Sequence, residues 1–124
     1  MNPKKFQIEG MTMAVTIMKP MLDFYSGVFD VSFTEKSMFN SKLYQGKLGD
    51  LNLLFCPAEV ARNSAKQNRH QFDIVVEDIE ASIKLATGHG GKPMGDIAEE
   101  NGVLSVGIYD PDNNSILFKQ YKTK

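Results

Sequence analysis

A chain of 124 residues with 42% hydrophobic residues, 23% charged residues and eight Phe has the make-up of one small globular unit and excludes a disordered or low-complexity segment. Its net charge of -1 at pH 7 supplies no electrostatic pull toward nucleic acid or an anionic membrane. With Cys56 as the lone cysteine no intrachain disulfide can form, so a reducing cytoplasm is the expected compartment.

The first residues, Met1 to Lys5, are basic but run into Gln7, Glu9 and Gly10 instead of an apolar stretch, so no signal peptide is expected. No window approaches the roughly 18 apolar residues of a membrane span. Phe6 to Ile17 predicts a strand, with Met11, Met13, Val15 and Ile17 on one face and Gly10, Thr12, Ala14 and Thr16 on the other. Met18 to Phe29 predicts a helix: Pro20 suits its first turn, and Met21, Leu22, Tyr25, Val28 and Phe29 recur at three- and four-residue spacings. A strand from Val31 to Met38 follows, then a turn at Asn40-Ser41 and a strand from Lys42 to Leu48. Gly49-Asp50 reads as a two-residue hairpin loop, because Gly readily takes the positive φ such a turn requires, and Leu51 to Cys56 pairs back across it.

Pro57 to Arg69 is polar and reads as a connector, with a helical turn over Glu59 to Asn63. The order then repeats. Gln71 to Glu77 predicts a strand and Asp78 to Thr87 a helix with Asp78 as its cap, ended by Gly88-His89-Gly90-Gly91. Strands are predicted at Pro93 to Ile97, Val103 to Asp110 and Ser115 to Tyr121. Twice, therefore, the chain gives strand, helix, strand, strand, strand.

Within this duplication, four markers stand in order: Asp23-Phe24-Tyr25-Ser26-Gly27-Val28-Phe29, Phe72-Asp73-Ile74-Val75-Val76-Glu77-Asp78-Ile79-Glu80-Ala81, Gly90-Gly91, and Asp110-Pro111-Asp112-Asn113-Asn114-Ser115-Ile116-Leu117. Together they resemble the vicinal-oxygen-chelate superfamily of glyoxalases, bleomycin-resistance proteins and extradiol dioxygenases, over nearly the whole chain. Asn113 replaces the Gly usual in that turn, and Asn tolerates the same left-handed backbone. The resemblance implies an α+β fold: two βαβββ modules, residues 6–56 and 70–122 joined by the connector 57–69, forming a curled mixed sheet around a cleft. A second subunit usually completes the cleft, so a homodimer is expected.

In metal-using members four side chains, typically His, Glu, His and Glu, come from the first, fourth, fifth and eighth strands of the paired modules. A divalent cation needs such N and O donors, with coordination positions left open for vicinal substrate oxygens. The resemblance places Gly10 at the first position, Gln71 at the third and Leu117 at the fourth; the second falls within Leu51 to Cys56, where no residue is acidic. No metal, other cofactor or catalytic residue is therefore expected.

Strand alternation turns Gly10 and Thr12, Gln71 and Asp73, and Leu117, Lys119 and Tyr121 toward the cleft. With Asn52 as an amide donor and Tyr44 as an aromatic wall, these nine are the candidate ligand-binding residues. Asp73 and Lys119 on paired strands either meet each other as a structural ion pair or meet a ligand, and the pair is the simpler reading. His70 reads as a surface histidine closing a polar loop, since no second His or Glu stands ready to join it around a metal. His89 suits the carboxyl end of a helix. The Met11, Met13, Met18 and Met21 cluster reads as adaptable core filling and Cys56 as an inert buried thiol. No phosphate loop, dinucleotide fingerprint, Cys-x-x-Cys or nucleophile turn is present.

The expected function is metal-independent binding of a small molecule, sequestering an apolar or aromatic ligand, with neither nucleic acid nor membrane as partner. Two readings compete with it: a divalent-metal lyase, isomerase or dioxygenase of the same superfamily with displaced ligands, and a subunit whose sheets serve only protein association.

Overall fold

Two sheets built on one plan organise the chain. The computed structural model describes residues 9–38, 40–61, 66, 68 and 70–122. Its elements are β1 (Gly10–Val15), α1 (Met18–Phe29), β2 (Thr34–Met38), β3 (Ser41–Leu48), β4 (Leu51–Pro57), α2 (Ala58–Ala61), β5 (Phe72–Val75), α3 (Ile79–Gly88), β6 (Lys92–Pro93), β7 (Ala98–Glu100), β8 (Val103–Tyr109) and β9 (Ser115–Tyr121). One sheet has the order β1-β4-β3-β2; the other has β5-β9-β8-β6, with β7 also on β8. In each half the first strand lies parallel to the last, β1 beside β4 and β5 beside β9, while the remaining pairs are antiparallel. A parallel neighbour cannot be reached by a tight hairpin, and the helix of each half supplies the long return.

Alternation along the strands decides which side of each sheet is buried. Val15 of β1, Leu53 and Phe55 of β4, and Ile116 and Phe118 of β9 are buried, while Thr12 of β1 is exposed. α1 buries Met21, Phe24 and Tyr25 along one stripe. Its aromatic rings reach both sheets, Tyr25 to Phe55 at 5.4 Å and Phe29 to Phe118 at 6.1 Å between centroids. One core thus joins the helix-facing sides of both sheets, and the opposite sides, which carry the expected cleft residues other than Tyr44, turn outward.

The helix ends follow the sequence. Asp78 caps α3, its Oδ1 accepting the Ala81 N–H at 3.1 Å. Asp78→Ala is expected to lower stability by about 1 kcal/mol in urea denaturation; a change under about 0.3 kcal/mol would show that this cap does not hold the helix. α1 has no side-chain cap and ends at Asp30 in the left-handed region with φ 56°. Gly49 takes φ 60° in the predicted hairpin loop.

Some boundaries differ from expectation. β2 begins at Thr34 instead of Val31, because the Val31 N–H is spent on the Tyr25 carbonyl at the end of α1 and its side chain enters the core. Of the strand predicted over Pro93 to Ile97 only Pro93 lies in a strand: β6 ends there and β7 starts after Ile97, both on β8; Met94 donates to the Gly107 carbonyl and the chain leaves the sheet at Gly95 and Asp96. The connector's helical turn is α2, one residue earlier than predicted, and its predicted end at Asn63 lies outside the described residues, as does the start of the first strand at Phe6.

Candidate ligand-binding site

The turn between β8 and β9 is built around a buried carboxylate. Asp110, 2% exposed, accepts the Tyr25 hydroxyl at 2.9 Å, the backbone N–H groups of Asp112 and Asn114 at 2.9 Å each, and the Asn114 amide at 3.0 Å. Asn113 completes the turn with φ 66°. Burial pushes the Asp110 carboxyl above the usual carboxylate range, against the lowering effect of the hydrogen bonds from Asn114, Tyr25 and Asp112. The Tyr25 phenol is raised as well, by burial first and then by the Asp110 charge beside it. Next along the turn, Asp112 accepts both the backbone N–H of Thr16, at 2.8 Å, and the Thr16 hydroxyl. The two carboxylates tie the second half of the chain to α1 and to the segment that leads into it.

The cleft faces present the following residues at the four positions that the sequence resemblance marks for metal ligands. Gly10 pairs with Asn52, Thr12 with Leu54 and Ala14 with Cys56, so the cleft side of β4 presents Asn52, Leu54 and Cys56, none of them acidic. The Asn52 amide donates to the Glu9 carbonyl at 2.9 Å. At position 10 a Cβ would stand 2.7 Å from the Asn52 carbonyl oxygen, so a donor side chain cannot be placed there without moving backbone. Gln71 directs its amide to Asp73 Oδ1 at 3.3 Å, and Leu117 offers no donor. A set of neutral amides and hydrocarbon does not fit a divalent cation. Among the described residues no three His, Cys, Asp or Glu converge elsewhere.

Asp73 and Lys119 meet as the sequence suggested, with Nζ 3.7 Å from Oδ2 and side chains 54% and 30% exposed. Such an open pair contributes about 0–1 kcal/mol and leaves both charges reachable. Tyr121, 57% exposed, shares the cleft face with Leu117 and Lys119. Tyr44 departs from the expectation. It lies opposite the buried Phe55, packs against the core side and donates its hydroxyl to Glu35 at 3.2 Å, while its neighbours Gln45 and Lys47 take the cleft side.

A pocket of about 640 Å³ opens at the seam between the modules, where β1 and β5, the outer strands of the two sheets, approach the β8–β9 turn. Met11, Met13, Tyr25, Ala58 and Phe72 give it apolar walls; Thr12, Thr16, His70, Gln71 and the turn residues Asp112 to Ser115 give it a polar rim. Asn68 and Lys66 of the connector close one side. Asn68 is clamped to the start of β9, donating to the Ser115 carbonyl at 3.2 Å and accepting the Ser115 N–H at 3.1 Å.

Of the nine candidate residues, Thr12 and Gln71 line this pocket. Gly10, Asn52, Asp73, Leu117, Lys119 and Tyr121 lie on the cleft faces beyond it, and Tyr44 on the core side. His70, expected as a plain surface residue, is on the rim. Thr16, Asn68 and Asp112 were not singled out by sequence; the available signals were strand alternation for Thr16 and the polar turn for Asp112, with none for Asn68 in the connector. His89 caps α3 against Gly27, where a Cβ would come within 2.5 Å of its ring, and Cys56 is buried beneath α2, as structural roles require.

No family model and no curated protein matches the chain. Solved structures do. A genomically encoded fosfomycin resistance protein, FosX, from Listeria monocytogenes aligns with a TM-score of 0.76 at 12% identity, covering 94% of this chain and 93% of its own. A glyoxalase-related enzyme from Fulvimarina pelagi aligns at 0.72 and 12%, covering 92% and 87%. TnmS3, an antibiotic binding protein from Streptomyces sp. CB03234, aligns at 0.69 and 15%, covering 96% and 98%. The chain shares the fold of these glyoxalase- and antibiotic-resistance-type structures.

Proposed function

We propose that this chain, with its glyoxalase/bleomycin-resistance fold, is a metal-independent small-molecule-binding protein that holds an apolar or aromatic ligand in the seam pocket and performs no bond-making step on it. The observation that carries the reading is the pocket: about 640 Å³ lies within the range of sites for drug-sized ligands, and methionine and aromatic walls under a polar rim are what such sites present. Met11 and Met13 adapt to ligand shape, and Thr12 and Gln71 supply hydrogen bonds that fix orientation. The antibiotic-binding neighbour supports the reading, since the same fold there serves a binding role. A metal-dependent lyase, isomerase or dioxygenase would need donors at positions 10, 71 and 117 that Gly, Gln and Leu do not provide.

The proposal includes a homodimer and a cytoplasmic setting. Val75 at 63% and Tyr121 at 57% exposure stand on the outward face of the second sheet, a surface suited to the matching face of another copy. No helix among the described residues is long and apolar enough to cross a membrane.

The test is a rim substitution. Thr12 is exposed, so Thr12→Trp places an indole over the pocket mouth without entering the core. Titration with the neutral dye Nile red is expected to show binding to the unaltered protein and at least roughly tenfold weaker binding to Thr12→Trp at unchanged melting temperature. Equal affinity for both proteins would remove the seam pocket as the site.

A further inference from the structure

The chemistry of the pocket rim points to one class of ligand. Among the described residues, the Lys66 ammonium and the His70 ring, both on the rim, make no ion pair. Asp112, the one acid on the rim among the described residues, is already engaged: the Thr16 N–H and hydroxyl both donate to it. It also sits beside the amino end of α1, which has no side-chain cap and no acidic residue in its first turn, so the helix dipole offsets its charge. Asp73, which the Gln71 amide contacts from the pocket side, is matched by Lys119. Among the described residues, then, the rim's ammonium is left without an ionic partner while its carboxylate is engaged.

Position matters as much as sign. Asn68, fixed to Ser115 at the start of β9, anchors the connector at this side of the pocket, next to His70 and two residues from Lys66. A ligand lying on Met11, Met13 and Phe72 would bring a polar end to that side.

We propose that the seam pocket takes a small organic anion, an apolar body with a single oxyanion head, the body against Met11, Met13 and Phe72 and the head toward Lys66 and His70. This rests on the seam pocket being the binding site and adds the charge of the ligand. A charge-assisted hydrogen bond favours the anion over a neutral ligand of equal length by roughly tenfold or more, because the neutral head leaves the ammonium without its partner.

Four probes of equal chain length decide it: octanoate, octyl phosphate, octan-1-ol and octylamine, titrated by calorimetry into the full chain at low salt. The expected result is octanoate binding at least roughly tenfold more tightly than octan-1-ol, octylamine weakest, and octanoate against octyl phosphate ranking carboxylate and phosphate heads. In the double variant K66M/H70Q, both exposed positions, the advantage of octanoate over octan-1-ol should fall at least fivefold, chiefly through weaker octanoate binding. Equal affinity for octanoate and octan-1-ol overturns the anion proposal while leaving the pocket as a neutral site. Failure of all four probes to bind overturns both readings together. An advantage for octanoate that survives K66M/H70Q also overturns the proposal, since the head would then be read elsewhere.

Discussion

Replacing Asp110 with alanine is expected to lower folding stability by about 3–5 kcal/mol, one of the largest effects of any single substitution in this chain. Four donors lose their acceptor at once: the Tyr25 hydroxyl, the N–H groups of Asp112 and Asn114, and the Asn114 amide. Tyr25 is buried, so its hydroxyl has no water to turn to. Asp110→Asn keeps an oxygen for the two backbone N–H groups and should cost less, about 1–2 kcal/mol. The two variants also separate in pH dependence. The folded-state pKa of Asp110 is raised, so the folded protein holds this proton more tightly than the unfolded chain does. Its contribution is then full below the unfolded value of about 3.9 and is lost as pH rises through the folded value. The stability difference between unaltered protein and Asp110→Asn should accordingly shrink or reverse as pH increases across that window, measured by urea denaturation at a series of pH values. A difference that grows with pH would mean that the carboxylate, and not the acid, is the form the fold favours.

The second large effect contrasts adjacent residues of β9. Phe118→Ala should cost about 3–5 kcal/mol, because Phe118 is fully buried and its ring contacts Phe29 at 6.1 Å. Leu117→Ala, one residue earlier on the outward face, should cost about 1 kcal/mol or less, since Leu117 is only partly buried. Chemical denaturation of both variants measures the difference directly. Similar costs for the two would mean that the cleft face is packed, and that position 117 carries a structural burden incompatible with an open site. With the expected result, packing does not dictate the residue at position 117, and the fold itself does not account for the absence of a carboxylate there.

Most of the architecture was legible because it obeys local rules. α1 follows from its apolar spacing, α3 from the Asp78 cap, and the faces of β1 and β9 from strict alternation. The turn at 110–114 was legible for a reason now visible in the structure: its sequence is required by the acceptor geometry of Asp110 and the left-handed backbone of Asn113, so the motif marks fold and not chemistry. The turn therefore forms equally well beside a Leu117 that carries no donor.

The parts that escaped are those where alternation is silent or the partners are distant. Along β3, Tyr44 and Gly46 face the core while Leu43, Gln45 and Lys47 face the cleft, so neither side reads as apolar and the placement of Tyr44 depends on its pairing with Phe55. The seam pocket joins segments far apart in the chain; the Thr16–Asp112 contact spans 96 residues. No periodicity reports such a meeting. The ion pair of Asp73 and Lys119 was accessible because both residues lie on strands whose alternation was clear.

The most direct measurement is metal content together with binding, made on one sample: protein purified without chelator, analysed by inductively coupled plasma mass spectrometry and titrated with Nile red before and after dialysis against EDTA. Metal far below one ion per chain, with dye affinity unchanged by EDTA, is the expected result. Zinc, nickel, manganese or iron at one ion per chain, with binding lost on chelation, would contradict a cavity that binds through its own side chains without a metal.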